Sequence, residues 1–142
     1  MRLTLELERE GAQPPLPGDG AALVALMSFA VSRGFGATHP LIALADRLHD
    51  THHVRMGPLT TFYEGRADDA EDRAKLELAW QSATELRESL ESVVKVLETD
   101  DLAIALARRG GAEGLREQAA SLIPYLHEAE VEGVRVRLVY EL

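Results

Sequence analysis

The sequence predicts an α+β fold dominated by helix. About four to five helices are framed by an N-terminal and a C-terminal β-strand paired antiparallel. Three observations predict it. Both ends of the chain alternate apolar and polar residues, the period of a half-buried strand. Between them, apolar residues recur at helical spacing. The polar face of the first strand is acidic and that of the last carries two arginines, so the two are expected to be neighbours.

In residues 2–8, Leu3, Leu5 and Leu7 point one way and Thr4, Glu6 and Glu8 the other. Residues 10–18 hold three prolines, which fix φ and remove donors, so they form a loop. Asp19 is placed to cap a helix over 20–32, with Gly34 or Gly36 ending it. That helix is apolar on nearly every side and should be central. Pro40, behind Thr38 and His39, suits the first turn of a second helix reaching about His53. Its inner face holds Leu41, Ile42, Leu44, Ala45 and Leu48. Residues 56–65 read as a loop or a short edge strand.

Over residues 67–98, Leu76, Ala79, Ala83, Leu86, Leu90, Val93 and Leu97 recur at alternating spacings of three and four, the seam of one long helix. Asp68, Asp69, Glu71 and Asp72 complement the dipole in its first turns. Trp80 and Val94 widen the stripe, which favours a bundle helix over a zipper. Thr99, Asp100 and Asp101 cap a short helix over 102–109, closed by Gly110 and Gly111. A last helix over 113–130 carries Leu115, Ala119, Leu122 and Leu126, and Pro124 is expected to kink or break it. In residues 134–142, Val136, Leu138 and Tyr140 face one way and Arg135, Arg137, Val139 and Glu141 the other. With 142 residues and no internal repeat, one domain over 1–142 is expected.

Composition narrows the function. The net charge is −9 and the basic residues are scattered, with Arg108-Arg109 the only adjacent pair, so neither nucleic acid nor an anionic membrane is an expected partner. Residues 64–101 hold 12 acids and five bases, an acidic face that would suit a basic protein partner. The absence of cysteine excludes disulfides and thiolate chemistry. The N-terminus alternates and carries acid, unlike a signal peptide, so a cytoplasmic location is expected. The longest apolar run, residues 21–30, is about half the ~20 residues that span a bilayer.

Length argues for assembly. A helix over 67–98 would span ~48 Å, longer than the ~37 Å diameter of a compact chain of this size. A two-stranded ribbon would also leave two free edges. A homodimer is therefore expected, with Leu76, Ala83, Leu86, Leu90, Val93 and Leu97 as core or subunit seam.

The one cluster of metal-ligating residue types is Asp46, His49 and His53, at i, i+3 and i+7 along one helix face. Two imidazoles and a carboxylate are a usable set for Zn²⁺, Fe²⁺ or Mn²⁺. The plainer reading places His52 and His53 at a helix end, where histidine suits the last carbonyls. No zinc-protease motif, nucleophile elbow or P-loop occurs, and no cofactor is otherwise expected. The leading expectation is a small, self-associating interaction or structural module without catalytic signature. A metal-binding helical protein, hydrolytic or oxidative, is the alternative, and a small-molecule pocket between helices is a third.

Overall fold

The computed structural model describes residues 2–11, 15–33 and 38–142. The chain is α+β and mostly helical. Strand β1 (Arg2–Leu7) buries Leu3, Leu5 and Leu7, as the alternation requires. Strand β3 (Val136–Glu141) lies antiparallel to it, with Arg2 opposite Glu141 and Glu6 opposite Arg137. The cross-strand charges meet: Arg137 Nε donates to Glu6 at 2.7 Å and Arg2 to Glu141 at 3.1 Å. The sheet is not the two-stranded ribbon the sequence suggests. Strand β2 (Phe62–Glu64) adds to the other side of β3 in parallel, giving the order β1-β3-β2. Three residues are too few for a periodicity signal, which is why β2 reads only as a loop or short edge strand.

Six α-helices are described, more than the four to five expected, because the predicted long helix is two. They are α1 (Ala21–Val31), α2 (Pro40–Asp50), α3 (Ala70–Glu77), α4 (Ala83–Thr99), α5 (Asp101–Arg109) and α6 (Leu115–Glu132). The break falls between Glu77 and Ala83. Gln81 leaves the helix to form an isolated bridge with Val136, its N–H donating at 2.8 Å and its C=O accepting at 3.0 Å. Ser82 then restarts the helix by accepting the Glu85 N–H. Ser82-Ala83-Thr84-Glu85 has the capping-box spacing, a start signal that the unbroken heptad phase conceals.

The α4 seam packs inside the chain, mainly on α6. Ala83, Leu86, Leu90, Val93 and Leu97 belong to one buried cluster with Leu115, Ala119, Leu122 and Leu126. From Ala83 to Leu97 the predicted seam is therefore core. Leu76 sits apart on α3, half-buried, and no α3 residue is buried. Both geometric premises for a dimer thus change, since the helix breaks and the ribbon gains a strand.

Helix α1 is central, as expected, but Asp19 does not cap it. Asp19 sits at φ +56 inside a short 3-10 turn, Pro17–Gly20, and Gly20 occupies the cap position at φ +70. A Cβ at Gly20 would lie 2.7 Å from the Leu3 Cβ, so only glycine lets β1 pass this close to α1. The Leu23 N–H is satisfied from α6 instead, by the buried Gln118 Oε1 at 2.9 Å. Gln118→Leu should destabilise the fold by roughly 1–3 kcal/mol, because it strands a buried N–H. Urea unfolding measures it, and a change below about 0.5 kcal/mol would assign the cap to solvent.

Helix α2 ends at Asp50, short of the expected His53. Pro124 sits inside α6 without ending it; its ring is exposed, and Ser121 Oγ donates to the Gln118 carbonyl at 2.7 Å. The expected stop at Gly34 or Gly36, and residues 12–14 of the proline loop, lie outside the described residues. Among the described residues no helix is long and apolar enough to cross a membrane.

Candidate functional site

Asp100 joins α4 to α5 in extended conformation, the cap position anticipated from sequence. Its Oδ1 accepts the N–H groups of Leu102 and Ala103 at 3.1 and 3.3 Å. Its Oδ2 accepts Arg47 Nε–H at 2.6 Å and lies 2.6 Å from His52 Nε2. The side chain is only 10% exposed. The Arg47 bond, then the His52 bond, hold this carboxyl well below the usual carboxylate range. A carboxylate offers about four lone-pair sites, and all are engaged here. Asp100 is a clamp tying α2 to the α4–α5 junction, with no acceptor left for a metal or a substrate proton.

A second clamp joins α4 to α6. Arg87 pairs with Glu130 and, at 3.1 Å, with Glu91, while Thr84 Oγ1 donates to Glu130 at 3.0 Å. Arg87 holds the Glu130 carboxyl below its ordinary range. His127 lies 3.7 Å from both Glu91 and Glu130, so it joins this ion-pair network.

The residues predicted as metal ligands do not converge. Asp46 and His49 share a face of α2, as the spacing requires. His49 Nδ1, however, lies 2.7 Å from its neighbour Asp50. His53 is past the helix end at φ +55 and lines a recess with Arg55, Glu85 and Glu88 against α4. The expectation fails to hold them together because α2 stops three residues early, and the i+7 partner leaves the helical face. Among the described residues, no three His, Asp or Glu side chains are grouped as a metal ion would need.

Asp46 instead borders a recess of about 480 Å³ between α2 and α5, open to solvent. Its floor is Ile42, Ala43 and Leu106, and its borders carry Asp46 from α2 and Arg109 from α5. Leu102, 49% exposed, precedes Leu106 by one turn on the same face of α5. Gly110 sets the distance between the helices, since a Cβ there would lie 2.5 Å from the Leu41 side chain. His39 closes one end: its ring stacks on Phe29 at 3.9 Å, and its Nδ1 accepts the Leu41 N–H at 3.1 Å, capping α2. Among the described residues, neither Asp46 nor Arg109 has an ion-pair or hydrogen-bond partner, although both border one recess.

Of these groups, sequence reasoning named Asp46 and the inward Ile42. It named His39, Leu41, Arg109 and Gly110 in other roles only, and missed the recess itself because the α2–α5 juxtaposition is a long-range contact with no local signature. The amphipathic pattern of Leu102, Leu106 and Arg109, three residues on the flank of a short helix, is the one signal that was available. Comparison with protein-family models, with curated proteins and with solved structures found no match.

Proposed function

We propose that this chain is a non-catalytic interaction module that self-associates. The α2–α5 recess carries the reading. It combines a solvent-open apolar floor with a carboxylate and a guanidinium that the described chain leaves uncommitted. Apolar centres with polar borders are the ordinary anatomy of a protein interface. The charged clusters elsewhere support it in a different way. Asp100 and Glu130, the carboxyls held most firmly below their usual range, are each saturated by structural partners, and that suits scaffolding rather than proton transfer.

Sedimentation velocity across a concentration series tests the reading. The mass is expected to move from the 15.6 kDa of one chain toward twice that value as concentration rises. A particle that stays at 15.6 kDa into the high-micromolar range would overturn self-association.

A further inference from the structure

We propose that the occupant of the α2–α5 groove is a second copy of the same chain, docked about a twofold axis so that Asp46 of each copy meets the Arg109 of the other. This inference rests on the self-association reading and gives it an interface.

A twofold interface must be complementary to itself, because the same patch is present on both sides. An apolar strip bordered by one acid and one base on opposite walls meets that condition. Rotation by 180° brings the acid wall of one copy against the base wall of the other. Ile42, Ala43 and Leu106 form the strip, and the half-exposed Leu102 extends it along α5. Each copy brings one Asp46 and one Arg109 to its groove, so two copies about a twofold axis can form two pairs between them.

Long-range charge selects the same surface. Each copy carries −9, so two copies repel unless the faces that meet are locally neutral. The acid-rich stretch of residues 64–101 is a poor meeting face for that reason. The groove, bordered by Asp46 and Arg109, carries equal numbers of acids and bases among its lining residues. Arg47, next to Asp46 on the same helix, does not compete for the pairing because Asp100 holds it.

The experiment is a charge swap read by sedimentation equilibrium on the full chain. D46R and R109D each place like charges opposite one another twice per dimer, and each should raise the dimer dissociation constant by roughly tenfold or more. The double variant D46R/R109D restores both pairs with signs exchanged and should return to within about threefold of wild type. L102E should also weaken the dimer without lowering the melting temperature measured at low concentration, because Leu102 is half exposed in the single chain. If wild type dimerises and the single reversals leave the constant unchanged, self-association stands and this interface is overturned. If the single reversals weaken the dimer and the swap fails to recover it, Asp46 and Arg109 do not face each other and the proposal is overturned. If wild type never dimerises, both readings fall together.

Discussion

Asp100→Ala is expected to destabilise the protein by about 2–4 kcal/mol, since it removes a helix cap and leaves two cationic or polar partners unpaired. The change strips the N–H groups of Leu102 and Ala103 of their acceptor and frees Arg47 and His52 at once. Asp100→Asn separates the two effects. The amide oxygen still caps α5, so about half of the loss should be recovered. The pH dependence has a fixed sign. The folded carboxyl titrates below its unfolded value, so over the acidic range the unfolded state binds more protons and stability falls as pH falls. The contribution is complete above the unfolded value of about 4 and is lost as pH drops through the folded one. Urea unfolding of wild type and Asp100→Asn should therefore show a constant gap near neutrality that narrows below about pH 4. A gap that persists unchanged into acid would remove the ion pair from the account.

Leu90→Ala carries the second large effect, roughly 2–5 kcal/mol, as expected for emptying a fully buried leucine site. Leu90 lies midway along α4 and packs within the cluster shared with α6. Its cost should be the same over a hundredfold range of protein concentration, because the seam is internal to one chain. L102E should behave in the opposite way, with little cost to the single chain and a concentration-dependent loss of assembly. Finding the Leu90→Ala penalty to grow with concentration would return the seam to a subunit interface.

The local rules were legible in the sequence, and the long-range partners were not. Alternation placed β1 and β3, and Pro40 and Asp100 marked the starts of α2 and α5. The opposite charges of the terminal strands anticipated their adjacency, because cross-strand pairing is a local rule applied at both ends. The heptad phase over 67–98 misled for a physical reason. Ala79 is fully buried where the chain has left the helix, so burial continues in phase across a break. Periodicity reports which residues avoid water and does not report which backbone they avoid it with. Gln118 capping α1 from α6 is another contact of this kind, set only once the core has assembled. At the candidate site, the i+3 relation of Asp46 and His49 survived because both lie within α2. His53 failed because α2 closes on a local cap, with His53 at positive φ and the Val54 N–H bonding back to the Leu48 carbonyl, while His52 is drawn to the distant Asp100.

The position of β3 within the sheet has a consequence for how the protein is born. It is the middle strand, and it follows both of its neighbours in the chain. During synthesis, β1 and β2 emerge with nothing between them to join, and all six helices are available before the strand that unites the sheet. Loop closure across nearly the whole chain must precede the β1–β3 ladder, which delays it relative to local helix formation. Until then Leu3, Leu5 and Leu7 have no ladder to hold them, and the nascent chain passes through a stage in which β1 waits for the much later β3.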